Sequence, residues 1–290
     1  MAETVSIGVI GGSGLYDIPE ISDKISVSID TPYGKPSADI VIGTLRGKRV
    51  AFIPRHGLGH VYTPTTVPYR ANIFALKTLG VRFIIGVNAC GSLREEYAPG
   101  HIVIPDQLYD HTKSERGRTF FETGLVGHVS VAQPFCPELS EQVYQATAAV
   151  GGNVHRGGNF IIIEGPRFST KGESLIFRQW GCSIIGMTTC PEAFLAREAE
   201  IAYATMAHVT DYDVWHETEA PVTVETVIQT MHHNLQIAQQ AIAKAIETLD
   251  ENAVYACHNA LENAVMTNKS LIPSDVLDRL QPIIGRYFSN

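Results

Sequence analysis

Residues 201–209 constrain this chain more than any other stretch. They read Ile-Ala-Tyr-Ala-Thr-Met-Ala-His-Val. A strand covered on both faces is apolar throughout instead of alternating, so this run predicts a buried strand. Asp211 and Asp213 follow it at i and i+2, with Val214 and Trp215 next. In an α/β sheet the carboxyl end of such a strand faces the crevice where ligands bind. A carboxyl dried there by aromatic neighbours has a raised pKa. It can stay protonated near neutral pH and donate a hydrogen bond to a leaving group. The competing reading of either aspartate is a cap on the segment that follows.

The chain has 290 residues, 44% hydrophobic and 18% charged. That suits one large α/β domain or two small ones with a sizeable core. The net charge of -8 argues against a nucleic-acid partner, because phosphate backbones call for basic stripes. A small local anion site stays open. The cysteines (Cys90, Cys136, Cys182, Cys190, Cys257) are odd in number and form no C-x-x-C pair. They read as reduced thiols of a cytoplasmic protein, not a disulfide framework. No signal peptide is read, since the first apolar run, 5–10, is short and ends in glycines. No stretch approaches the ~18 apolar residues of a membrane helix, so no membrane partner is expected.

Strands and helices alternate along the chain, which predicts a single α/β domain. Strand 5–10 runs into Gly11-Gly12-Ser13-Gly14. Glycines there let backbone N–H groups cradle an anion, and Ser13 adds a hydroxyl. The pattern is neither G-x-G-x-x-G nor a P-loop, so dinucleotide and ATP readings lose ground. A plain tight turn is the alternative. Strands 39–45 and 48–54 form a predicted hairpin about Arg46-Gly47 and deliver Arg55-His56-Gly57. Arg55 offers a planar fork of donors and His56 a shorter one, which suits an oxyanion. His60 is close, but no acid or cysteine stands at ligand spacing, so no metal site is expected.

Helix 69–79 ends at Gly80, and strand 81–87 opens into Asn88-Ala89-Cys90-Gly91-Ser92. Small residues there make a floor for a flat ligand. A short strand, 101–105, and a helix, 139–150, lie on either side of segment 111–127. That segment mixes charge with glycine and is expected to be the most mobile. It and 215–221 are the candidates for loops that close over a ligand. His128 reads as an ordinary surface or core histidine. Strand 159–163 leads to Glu164-Gly-Pro-Arg-Phe168-Ser169, where Phe168 could stack on a base or fill the core. Further helices are predicted at 173–180, 191–199 and 222–249, with strand 183–186 leading to Met187-Thr188. Residues 250–290 hold one or two helices, with Pro273 and Pro282 as breaks. The predicted organisation is a domain over 1–250 with a helical extension, 251–290, packed on it.

Several motifs occur together and in order: Gly11-Gly-Ser-Gly14, Arg55-His-Gly57, Ala89-Cys-Gly-Ser-Leu-Arg-Glu95, Glu164-Gly-Pro-Arg-Phe-Ser169, Met187-Thr-Thr-Cys-Pro-Glu192 and Thr210-Asp-Tyr-Asp213. With them the chain resembles the methylthioadenosine phosphorylases, in the trimeric branch of the purine nucleoside phosphorylases. The resemblance runs from Gly8 to about Leu249, and more loosely to about Pro273. It implies a twisted mixed β-sheet flanked by helices, assembled as a homotrimer or as a hexamer of two trimers. It implies the reaction of methylthioadenosine with phosphate to adenine and methylthioribose 1-phosphate. Inorganic phosphate is then a co-substrate, and no cofactor or metal is expected.

Carried over by position, Ser13, Arg55, His56, Asn88, the Ala89 backbone and Thr188 would hold phosphate. Met187 would pack beneath the ribose. Phe168 would stack on or flank the base, with Cys90, Gly91 and Ser169 lining its site. Asp211 and Asp213 would face N6 and N7 of adenine. Val224, Val227 and a neighbouring subunit's His128 would enclose the methylthio group. In relatives that cleave 6-oxopurine nucleosides, Asn typically stands at the Asp211 position and Glu at the Ser169 position. Asn88 points the other way, because many methylthioadenosine phosphorylases carry Thr there. A phosphorylase of inosine, guanosine or methylthioinosine is therefore the alternative.

Overall fold

The β-branched and apolar runs of the sequence assemble one large sheet in the computed structural model. The model describes residues 5–12, 18–217 and 222–288, with backbone alone at 231–233. In chain order the elements are β1 (Ile7–Gly11), β2 (Ser22–Val27), β3 (Ile40–Leu45), β4 (Lys48–Pro54), α1 (Tyr69–Thr78), β5 (Phe83–Ser92), β6 (Ile102–Ile104) and β7 (Gln107–His111). Next come α2 (Pro137–Ala149), β8 (Val154–Arg156), β9 (Asn159–Ile163), α3 (Lys171–Gln179), β10 (Ile184–Gly186), α4 (Thr189–Glu198), β11 (Ala202–Asp211) and α5 (Val224–Thr248). Two 3-10 turns, Ala256–Asn259 and Lys269–Leu271, precede α6 (Ser274–Phe288).

The sheet has 11 strands, with a main path β2-β3-β4-β1-β5-β10-β9-β7. Strand β11 pairs with β5 and β6, and β6 with β8. It is mixed: β4, β1, β5 and β11 run parallel, while β5 meets β10 antiparallel. Burial explains the arrangement. Every residue of β11 and β1 is buried, as expected of strands with neighbours on both sides and helices on both faces. Helices α1, α4 and α6 share one apolar cluster with Ile10, Ile53 and Ile84. Helices α2 and α5 share the other with Ile7, Phe83 and Met206. No helix among the described residues is long and apolar enough to cross a membrane.

The predicted hairpin forms as expected, with Arg46 and Gly47 both at positive φ, 52° and 78°. Gly80, at φ 93°, follows α1 as its cap position requires. Other expectations need correction. Pro282 lies inside α6 and does not end it. The apolar stripe Val276, Leu280, Ile283 and Ile284 is buried, and that burial outweighs a lost backbone donor. Segment 111–127 is not a loose loop. Phe120, Phe121 and Leu125 enter the core, and the Glu198 carboxylate holds the Thr119 hydroxyl at 2.8 Å and the Phe120 N–H at 2.7 Å. Of segment 215–221, residues 218–221 lie outside the described residues.

Candidate active site

Because β1, β4, β5 and β11 are parallel, Gly11, Arg55, Asn88 and Asp211 arrive at one edge of the sheet. Strand β5 changes neighbours there. On one side β1 accompanies it only to Gly86, and β10 joins only at Gly91. The gap leaves Ala89 exposed in a strand whose other residues are buried. Strand β10 runs antiparallel into this notch and delivers Met187 and Thr188.

Asn88 fixes one wall. Its Nδ2 donates to Thr188 Oγ1 at 2.8 Å, and its Oδ1 accepts from Thr205 Oγ1 at 2.6 Å. Thr188 therefore already has a donor, and its hydroxyl hydrogen is free to point at an anion. Arg55 is only 2% exposed and is turned inward. Its Nε and Nη2 each lie 2.7 Å from a Glu192 oxygen, and its Nη1 donates to Val87 O at 2.9 Å. Burial works against the Arg55 charge, but Glu192 more than offsets it and raises the pKa. Tyr203 completes the pair by donating to Glu192 at 2.8 Å. The fork that the sequence points at an oxyanion thus closes on a carboxylate. His56 donates from Nδ1 to Tyr62 O at 2.9 Å and stacks on His60 with ring centroids 4.1 Å apart. Burial lowers its pKa to about 4, so it is neutral at pH 7. Ser13 lies outside the described residues.

The other wall is acidic. Asp211 is buried, with Oδ2 accepting from the Thr210 hydroxyl at 2.6 Å and Oδ1 from the Asp213 N–H at 2.8 Å. Burial raises its pKa to about 6 against those two hydrogen bonds. Gly91 makes the room: a Cβ there would lie 2.9 Å from Asp211 Oδ1 and 3.3 Å from the Asp213 Cβ. Asp213 has φ 51°, a left-handed conformation that Asp adopts more readily than most residues. Its Oδ2 is buried without a hydrogen-bond partner, as are Ser169 Oγ and Ser174 Oγ. Burial raises the Asp213 pKa, and the Ser174 and Ser169 hydroxyls beside it pull it back. Trp215 roofs this corner, donating from Nε1 to Ser92 O at 2.7 Å.

Residues to which the sequence assigns no role support the site from behind. Arg116 reaches Glu164 at 2.9 Å, Met187 O at 2.6 Å and Cys190 O at 3.2 Å. It thereby anchors the strand end that carries Thr188. Glu192 and Thr205 do the same for Arg55 and Asn88. Only the buried setting of each could have pointed to it, because their partners are far away in sequence. Met187 is half-buried, and Gly165 leaves room for its sulfur, which would lie 2.5 Å from a Cβ there. Cys90 is buried, and Phe168 is half-buried.

The structure does not bring every predicted residue together. His128 is exposed, and its backbone N–H donates to Ala264 O at 2.8 Å. Val224 is 64% exposed and Val227 half-buried, on the first turns of α5. Those turns adjoin the acidic wall, since Val222 N donates to Asp213 O and the Thr230 hydroxyl to Thr210 O, both at 3.3 Å.

Residues 6–247 match the family model of the phosphorylase superfamily. The chain belongs to the phosphorylase superfamily. This superfamily member is 54% identical over 286 residues to the S-methyl-5'-thioadenosine phosphorylase of Chloroflexus aurantiacus, covering 99% of each chain. It is 49% identical to that of Geobacter sulfurreducens, covering 97% of this chain and 98% of the relative. Among solved structures it resembles a methylthioadenosine phosphorylase sourced from an antarctic soil metagenomic library. The TM-score is 0.92 at 47% identity, covering 97% of this chain and 99% of that one. It also resembles methylthioadenosine phosphorylase from Schistosoma mansoni in complex with adenine, with a TM-score of 0.80 at 35% identity over 85% of this chain and 93% of that one.

Proposed function

We propose that this phosphorylase cleaves S-methyl-5'-thioadenosine with inorganic phosphate, giving adenine and 5-methylthioribose 1-phosphate. The observation that carries the reading is the buried Asp211–Asp213 pair packed against Gly91, two residues along β5 from the exposed Ala89. The names of its relatives, and the adenine bound to the Schistosoma mansoni protein, support the same reading.

The chemistry follows from charge. As the bond from the ribose C1′ to purine N9 breaks, its electrons move onto the purine and positive charge grows on the ribose. A phosphate oxygen then bonds to C1′. Phosphate would sit in the notch, on the Thr188 hydroxyl and the Ala89 backbone N–H, where the dianion offsets the ribose charge. Met187 would pack beneath the ribose. On the purine, a carboxylate of the aspartate pair accepts from the N6 amino group while a protonated carboxyl donates to N7. Burial raises the pKa of both aspartates, and Asp211, set against Gly91 at the strand end, is assigned the proton. Asp213, whose carboxyl lies beside the Ser169 and Ser174 hydroxyls, is assigned N6. Phe168 would flank the base. The exposed Val224 and half-buried Val227 suit a thioether better than a hydroxyl.

In this reading the enzyme works as a homotrimer in the cytoplasm, with a neighbour's His128 closing the methylthio end. Phosphate is its co-substrate, and no cofactor is required. The test is chromatography of methylthioadenosine incubated with the protein, with and without phosphate. The expected result is adenine and methylthioribose 1-phosphate in equal amounts, only with phosphate. Equal adenine release without phosphate would make the protein a hydrolase and overturn the proposal.

A further inference from the structure

At the opposite edge of the sheet, the amino ends of β5 and β11 frame a second polar cavity of about 230 Å³. Lys77 from the last turn of α1, Arg82, Glu200, His258 and Arg286 line it. The only carboxylate among these is fully engaged. Glu200 pairs with Arg286 at 2.8 Å, and it accepts from the Tyr287 hydroxyl at 2.5 Å and from Leu261 N at 2.9 Å. Arg82 donates to two neutral carbonyls, Glu251 O at 2.6 Å and Ala253 O at 2.8 Å. The Glu251 carboxylate itself is turned to the Ser6 hydroxyl. His258 is uncharged: its Nδ1 accepts from Tyr255 N at 3.1 Å, its Nε2 donates to Arg82 O at 3.1 Å, and burial lowers its pKa.

Among the described residues Glu200 is the one carboxylate that lines the cavity, matched by Arg286 and also attracting Lys77, so three cations face one acid. Like charges gathered in one partly exposed concavity repel one another and make a positive field that an anion with several oxygens relieves. The surplus equals the charge of a phosphate dianion, where a carboxylate would offset only half of it. Arg and Lys arriving from separate elements also suit an anion with several oxygens.

We propose that this cavity binds a phosphate group, either as inorganic phosphate or as the head of a small phosphomonoester. The cavity is larger than a bare phosphate needs, so a small organic group fits beside it. The proposal is independent of the aspartate site, which lies at the other ends of the same strands. Burial also lowers the Lys77 pKa to about 8, so a bound dianion makes the lysine take up a proton near that pH.

The test is calorimetric titration of the full chain near pH 8 with inorganic phosphate, and separately with ribose 5-phosphate. Each is run in buffers of different ionisation enthalpy. The expected result is two phosphate sites per chain, one of them with proton uptake. Lys77→Met should weaken that site by ~10-fold or more, the loss of one charge-assisted hydrogen bond, and leave turnover unchanged. Lys77→Arg should retain it. Thr188→Ala should weaken only the other site. Binding of ribose 5-phosphate alone at the Lys77 site would identify the monoester as its ligand. Binding of both would identify the phosphate head. A single phosphate site per chain that Lys77→Met leaves intact, with no Lys77-dependent binding of ribose 5-phosphate, would overturn the proposal.

Discussion

Gly91 and Asp211 face each other across paired strands so closely that a Cβ on Gly91 would stand 2.9 Å from Asp211 Oδ1. The acid can occupy its place only because that position is glycine. Gly91→Ala should therefore displace the carboxyl and cost ~10²-fold in kcat/KM, as a misplacement of about 1 Å does. Steady-state kinetics checks this, with a thermal melt to show that the fold survives. Unchanged kinetics would mean that the Asp211 position does not matter.

Asp211 should also leave a mark on stability. Its pKa is raised from 3.8 to about 6, so the folded state binds its proton more tightly than the unfolded state. The stabilisation is complete below 3.8 and is lost as pH rises through about 6. The difference is on the order of 3 kcal/mol. Asp211→Asn removes this dependence, so its stability should decline less than the wild type's between those limits. Urea unfolding of both proteins across that range measures it. Parallel declines would show that the carboxyl is not desolvated as described.

The Arg55–Glu192 pair predicts a different outcome. Glu192→Ala leaves a buried guanidinium and the Tyr203 hydroxyl without their acceptor. The expected loss is ~3–5 kcal/mol, read from denaturant midpoints. Loss of activity with full stability would instead point to a direct role for Glu192 in the reaction.

His128 supplies a test of assembly. If it closes a neighbour's site, His128→Ala should lower kcat/KM for methylthioadenosine. Mixing it with Asp211→Asn under subunit exchange should recover activity, because some sites then receive both intact residues. Failure to recover in exchanged oligomers would contradict the shared site.

What was legible in the sequence was what local patterning encodes. The continuous apolar run before Thr210 gave the buried strand, and its two aspartates stand where strand ends converge. Strands β2, β7 and β8 carry weak sequence signals for physical reasons. Strand β2, Ser-Asp-Lys-Ile-Ser-Val, lies at an edge and is largely exposed, and Asp23 interrupts the apolar alternation of Ile21, Ile25 and Val27. Strand β8 has only 3 residues, and β7 carries polar residues at an edge. Segment 111–127 reads as loose because its charges and glycines mask Phe120, Phe121 and Leu125, which are buried. The inward turn of Arg55 was illegible, because its partner Glu192 is 137 residues away and only the sheet topology brings them together. The same holds for Asn88 with Thr188 and Thr205.

The most direct test of the account is base release from methylthioadenosine and from inosine, each with and without inorganic phosphate. The account predicts phosphate-dependent release of adenine, with inosine untouched, because the aspartate pair reads the 6-amino group. Phosphate-dependent cleavage of inosine at a comparable rate would contradict it, and would show that Asp211 and Asp213 do not select the purine.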